Sequence, residues 1–183
     1  MRFVPLELPG VYLVESAVHT DHRGFFVERF QEAAFVGSPV ASRFCQDNHS
    51  RSLPRVLRGL HYQVDPPQGK LVSVIRGRIW DVAVDLRAGS PTFGRYVGVE
   101  LSDGDGRALW VPEGFAHGFC VLGDDTADVV YKVTAPYQPR GQRGVRFDDD
   151  GLAVAWPIRQ PVLSDQDERL PSFSAYRAAP AFA

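Results

Sequence analysis

Two histidines occupy contexts in which a titratable ring needs a reason to be present. His61 lies in Arg58-Gly59-Leu60-His61-Tyr62-Gln63, and His117 lies in Pro112-Glu113-Gly114-Phe115-Ala116-His117-Gly118-Phe119. The first run reads as a β-strand, the second as a turn that delivers a ring into the following strand. Imidazole changes charge near neutral pH, so each ring is a candidate base, hydrogen-bond donor or metal ligand. A divalent ion with open positions needs three or more imidazole and carboxylate donors. One strand histidine and one turn histidine make a thin metal site, which leaves His61 and His117 for acid–base work. Gly59, two residues before His61, is expected on the same strand face, leaving room for a substrate against the sheet.

The rest of the chain must position these rings, and its pattern is that of a β protein. The runs Val11 to Val18, "GFFVERF", "KLVSVIR", "IWDVAVDL", "YVGVEL", "ALWVPEGF", "GFCVL" and "DVVYKVT" read as strands, separated by the turn chemistry of "PPQG", "RAGSPTFG", "SDGDG" and "LGDD". Such spacing predicts an all-β sandwich or jelly roll. Helix is expected only at "FQEAAF" and near "SDQDERL", and residues 171–183, rich in alanine and proline, are expected to form a surface-hugging or disordered end. In "IWDVAVDL" period two sets Trp80, Val82, Val84 and Leu86 on one face and Asp81, Ala83 and Asp85 on the other. The apolar face is expected to pack sheet to sheet, and the other to meet water or line a polar cavity.

The chain has 183 residues, 44% of them apolar, which suits one domain spanning 1–183 with a substantial core. A formal charge of −2 without a basic block gives no nucleic-acid or membrane surface. Lys70 and Lys132 are its only lysines. The proline-broken N-terminus is no signal peptide core, no run reaches transmembrane length, and Cys45 and Cys120 lack a CxxC pairing. A cytoplasmic protein is expected.

"PEGFAHGF" has the P-x-G-x-x-H form of the second half of the cupin signature. Metal-binding cupins carry an earlier H-x-H, and here "GLHYQ" puts Gln63 where the second histidine would stand. The ordered motifs "RGFFVE", "QDNHS", "VLRGLHYQ", "QGKLV", "DVAVDLR", "SPTFG", "VPEGFAHGF", "YK" and "LSDQD", from about Arg23 to Asp167, resemble the nucleotide-sugar epimerases typified by dTDP-4-dehydrorhamnose 3,5-epimerase.

The resemblance implies an all-β double-stranded β-helix, a cupin-type jelly roll with short flanking helices. It implies a homodimer that uses no metal or other cofactor and acts on a dTDP-linked 4-keto-6-deoxy sugar in deoxysugar biosynthesis. The family's base corresponds to His61, held by Asp167, and its acid to Tyr131. Lys70 and His117 correspond to residues around the sugar. Arg23, Glu28, Gln46, Asn48 and Arg58 correspond to positions that grip the nucleotide and sugar, Tyr137 to one that stacks on thymine, and Phe26 is a candidate to flank the nucleotide.

The chemistry asks for these types. Loss of a proton beside a ketone leaves an enolate, so a base must meet one face of the ring while a cation or donor faces the oxygen. Inversion returns a proton from the opposite face, which needs a second group across the pocket. The keto group already activates the substrate, and neither a dinucleotide-binding glycine fingerprint nor a P-loop appears.

Three positions depart from the family pattern: Gln142 where glutamate is usual, Gln166 where a basic residue is usual, and Pro136 where a second tyrosine is common. They leave open whether carbon 3, carbon 5 or both are inverted. Plainer roles stand beside the catalytic ones. Ser164 to Asp167 forms a capping box, Tyr131 alternates with Val129 and Val133 as core, and Asp81 and Asp85 suit arginine pairing. Two other functions fit a barrel of this kind: a metal-dependent cupin enzyme using His61 and His117, and a non-enzymatic sugar-binding barrel.

Overall fold

A computed structural model describes residues 1–183. In chain order the strands are β1 (Arg2–Pro5), β2 (Tyr12–Glu15), β3 (Val18–Asp21), β4 (Gly24–Val27), β5 (Gln46–Ser52), β6 (Leu57–Gln63), β7 (Lys70–Arg76), β8 (Arg78–Asp85), β9 (Tyr96–Ser102), β10 (Arg107–Val111), β11 (Phe115–Val121), β12 (Ala127–Val133) and β13 (Gln142–Gly144). Three short helices accompany them: α1 (Glu32–Phe35), α2 (Asp165–Glu168) and α3 (Phe173–Ala178). One sheet runs β1-β2-β10-β7-β12-β5, a second β13-β6-β11-β8-β9, and β3-β4 form a separate hairpin. Every pairing between strands is antiparallel.

The two sheets face each other over a core containing Val72, Val74, Leu109 and Val129 from the first and Ile79, Ala83, Phe115 and Phe119 from the second. Strand β9 packs against β7 and β10, closing that end of the sandwich. At the opposite end β5 and β12 face β6 and β13, and there the inward residues turn polar.

Strand β8 corrects the expected assignment of faces. Asp81 and Asp85 are fully buried on the same side as Ile79 and Ala83, between the sheets. Its apolar face, with Val82, Val84 and Leu86, lies outside the sandwich under Leu152, Phe173 and Tyr176. Both faces of this strand are therefore buried, and apolarity alone does not tell which one meets the other sheet.

Residues 171–183, expected to hug the surface or to be disordered, form part of that outer cover: α3 buries Phe173 and Tyr176, and the Tyr176 hydroxyl donates to the Leu86 carbonyl at 2.7 Å. Burying two such rings supplies about 1.5–3 kcal/mol each, a part of what offsets the ordering of the segment. Phe93, Phe173 and Tyr176 pack ring to ring at centroid separations of 5.3 and 6.3 Å.

Other boundaries move for local reasons. The run Val11 to Val18 is split into two strands: β2 ends at Glu15, with one last bond from the Ser16 N–H to the Gly106 carbonyl, and β3 begins at Val18 in a separate hairpin. "ALWVPEGF" ends as a strand at Val111, because Pro112 opens a turn and Phe115 starts β11. Helices form at both expected places, and α1 is held by Phe35 in a cluster with Val14, Val40, Leu71 and Trp110 on the outer face of the first sheet.

Candidate active site

His61 sits on β6 opposite His117 of β11. The register between these strands slips by one residue next to that pair, since Phe119 faces Arg58. Gly59 occupies the slip at φ +126°, and a Cβ there would meet the Gly118 Cα at 2.6 Å. The glycine therefore serves the close approach of two backbones, not the room for substrate that period two suggested. The bulge re-aims the side chains that follow it.

His61 is about a quarter exposed, and its Nε2 donates to Asp167 Oδ1 at 2.5 Å. A carboxylate only accepts, so this bond sets the tautomer and leaves Nδ1 as the basic nitrogen. Asp167 comes from α2, where Ser164 is the N-cap. The Ser164 hydroxyl accepts from the Asp167 N–H at 3.2 Å and donates to Asp167 Oδ2 at 2.9 Å. One carboxylate oxygen thus meets His61 and the other the capping hydroxyl, so Asp167 supports the histidine without giving up its place in the cap. Burial alone would raise the Asp167 carboxyl, but the bonds from His61, Ser164 and the Gly59 N–H outweigh it and hold the group below the usual carboxylate range.

His61 opens into a cavity of about 290 Å³ lined by Gln46, Asn48, Tyr62, Gln63, Gln68, Lys70, Tyr131, Tyr137 and Gln142. Lys70 and Tyr131 come from the first sheet and His61 from the second, so the cavity lies between the layers. Burial pulls the Lys70 ammonium down to about 8 against the opposing pull of Asp81. Burial also raises the Tyr131 phenol, while the Arg58 guanidinium works the other way, so the hydroxyl holds its proton at neutral pH.

Of the binding residues expected from the sequence, Gln46, Asn48 and Tyr137 line the cavity. The Gln46 side chain accepts from the Tyr137 N–H at 3.0 Å and donates to Asn48 at 2.8 Å, which fixes the lip carrying the exposed Tyr137 ring. Arg58 does not line the cavity: it is exposed, with Nε donating to the Ser52 hydroxyl at 2.9 Å, and reaches the site only through the charge it exerts on the Tyr131 phenol. His117 is not on the cavity wall. It is buried, and its Nε2 donates to Asp81 Oδ1 at 2.7 Å.

Arg23, Phe26 and Glu28 stand apart from the cavity. Arg23 and Phe26 belong to the β3-β4 hairpin and line a different hollow with His19 and Phe25, and Glu28 follows the hairpin, exposed. Arg23 pairs with Asp21, and Phe26 is 68% exposed.

Sequence reasoning did not name Gln63, Gln68, Gln142 or Asp81 as site residues. Gln63 is buried and ties the loop before Tyr137, donating to the Pro66 and Pro136 carbonyls and accepting from the Gln138 N–H. The signal for it was its place two residues after His61. Gln142 lines the cavity, whereas Gln166 and Pro136, the other two departures, are exposed. Asp85, as expected, pairs with an arginine: Arg87, Ser90 and Thr92 all donate to it. No group of three or more His, Cys, Asp or Glu side chains is arranged to hold a metal ion.

The family model of dTDP-4-dehydrorhamnose 3,5-epimerase matches residues 5–175. This chain belongs to that family. The dTDP-4-dehydrorhamnose 3,5-epimerase of Shigella flexneri is 50% identical over 171 residues, covering 91% of this chain and 93% of the relative. The dTDP-6-deoxy-D-glucose-3,5-epimerase of Legionella pneumophila, solved with dTDP-4-keto-L-rhamnose, is 44% identical with a TM-score of 0.91, covering 97% of this chain and 95% of that one. A 3'-monoepimerase from Streptomyces bikiniensis, solved with dTDP-quinovose, is 34% identical with a TM-score of 0.90, covering 98% and 91%. The family is one of isomerases with this cupin-type β fold, and the two facing sheets with short flanking helices agree with it.

Proposed function

We propose that this chain inverts carbons 3 and 5 of a dTDP-linked 4-keto-6-deoxyhexose, with His61 as base and Tyr131 as acid. The observation that carries this reading is that His61, Tyr131 and Lys70 reach one cavity from two facing sheets. His61 Nδ1 takes the proton beside the ketone, and Asp167 stabilises the imidazolium that forms. The Lys70 ammonium faces the developing enolate oxygen. Tyr131 returns a proton from the far side of the ring, which inverts the centre. Gln46, Asn48 and Arg58 hold the nucleotide, with Tyr137 stacked on the thymine. No nicotinamide or metal has a role, because the ketone already acidifies both neighbouring carbons.

The exposed hairpin carrying Arg23 and Phe26, with Glu28 after it, is proposed to lean over the cavity of a second copy in a homodimer. Its support is the exposure of Phe25 and Phe26 at 54% and 68%, a large apolar surface to leave in water. Two free cysteines and no helix long or apolar enough to cross a membrane agree with a cytoplasmic setting.

Double inversion is favoured because identity is higher to the 3,5-epimerase relatives than to the 3'-monoepimerase. The test is NMR of dTDP-4-keto-6-deoxyglucose incubated with the protein in deuterium oxide. Deuterium at carbons 3 and 5 is the expected result. Label at one carbon means mono-epimerisation, and no label at either ends the epimerase reading.

A further inference from the structure

Asp81 is fully buried between the sheets, yet its Oδ2 has no hydrogen-bond partner. An orphaned carboxylate oxygen in that position is costly, and most buried carboxylates escape the cost as Asp85 does on the same strand. The groups facing Asp81 are few. From β11 come His117, bonded to Oδ1, and Phe119, paired with Asp81 in the ladder, while Cys120 pairs with Trp80 and lies on the other strand face; from β7 comes Lys70; from β9 the facing residue is Val99. His61 stands beyond His117 across the β6–β11 ladder. Lys70 alternates along β7 with the inward Val72 and Val74, and Asp81 along β8 with the inward Ile79 and Ala83, so both side chains enter the space between the sheets. Lys70 is the only ammonium or guanidinium lining the cavity and forms no ion pair of its own, and the negative charge of Asp81 opposes the effect of its burial.

We propose that Asp81 is a positioning residue of the epimerisation: one oxygen braces His117, and the charge on the other keeps Lys70 an ammonium opposite the enolate oxygen. A direct ion pair would neutralise Lys70 toward the substrate and pull it aside. A carboxylate held back by His117 sustains the charge through the low-dielectric interior and leaves all three N–H donors of Lys70 available. Removing the negative charge lets burial dominate, so Lys70 loses its proton at lower pH.

The inference rests on the epimerase reading, and solvent-deuterium exchange by the unaltered protein checks that reading separately. The test itself is the pH profile of exchange for Asp81→Asn, which still accepts from His117 through its amide oxygen, beside His117→Gln, which retains the Asp81 charge. Lys70 must be protonated, so activity falls as pH rises through its value near 8. In Asp81→Asn this alkaline limb should move down by about one pH unit or more, since an adjacent opposite charge is worth about 1–3 units. In His117→Gln it should stay in place. Because the chain has only two lysines, 15N side-chain NMR in a Lys132→Arg background reads the same titration directly. If Asp81→Asn does not fold, Asp81→Ser supplies a smaller neutral replacement. An alkaline limb unmoved in the neutral variant, with exchange intact in the unaltered protein, overturns the proposal.

Discussion

His61 with Asp167 and His117 with Asp81 stand side by side across the β6–β11 ladder, each joined from Nε2 to Oδ1. Their surroundings separate them. His61 meets the cavity, and its aspartate sits at the start of a helix with both oxygens bonded. His117 is buried, and its aspartate keeps one oxygen unbonded. The first pair has an accessible nitrogen and a satisfied carboxylate, which suits carrying a proton. The second has an inaccessible ring and an unsatisfied carboxylate, which suits holding a charge. A histidine–aspartate contact thus acquires its role from what surrounds it.

The sharpest way to break this comparison is to exchange the loss between the two histidines. His61→Asn should lower kcat by about 10³-fold or more and abolish exchange into substrate, because general-base catalysis contributes about 10²–10⁴. His117→Gln should cost only about tenfold, the scale of one altered hydrogen bond. Equal losses would mean that both rings handle protons.

A smaller effect separates the two proton transfers. Tyr131→Phe should reduce inversion by about 10²-fold while exchange beside the ketone continues, since His61 still removes and returns a proton on its own face. NMR that follows label and configuration together distinguishes the outcomes. If exchange vanishes with inversion, Tyr131 assists deprotonation and the division of labour across the ring fails.

Much of this arrangement is legible in the sequence. The sandwich appears through period-two runs and turn residues, and His61, Lys70, Tyr131 and Asp167 are picked out by the ordered motifs that resemble the epimerase family. Strand β5 is absent from that pattern because Gln46 and Asn48 face the cavity and its other face is exposed, so "QDNHSRS" has no apolar alternation to read. The role of Gly59 is hidden because the bulge breaks the period from which its face was inferred. Asp81 is hidden for a different reason. Period two puts it beside Asp85 on one face, but whether a carboxylate is met by an arginine or left with a free oxygen depends on strands distant in the chain. The hold of residues 171–183 likewise depends on a sheet face that looked as though it should be covered by the other sheet.

Ser164→Ala has the smallest expected effect and probes the proton-carrying pair at its support. The hydroxyl caps α2 and also donates to Asp167 Oδ2. Its loss should cost about 1 kcal/mol of stability, the usual value of a cap. The bond also helps hold the Asp167 carboxyl low, and a depressed carboxylate contributes stability that is present above its unfolded pKa and lost as pH falls through the folded value. The difference in thermal stability between the unaltered protein and Ser164→Ala should therefore be full at neutral pH and narrow below about pH 4, leaving the cap contribution. Activity should fall only a few fold, because Asp167 Oδ1 still accepts from His61. A loss as large as that of His61→Asn would make the serine hydroxyl part of the proton path. The contrast between the pairs would then lie in how far each hydrogen-bond chain extends, and Asp81, whose chain stops at an unbonded oxygen, would be set apart by that ending.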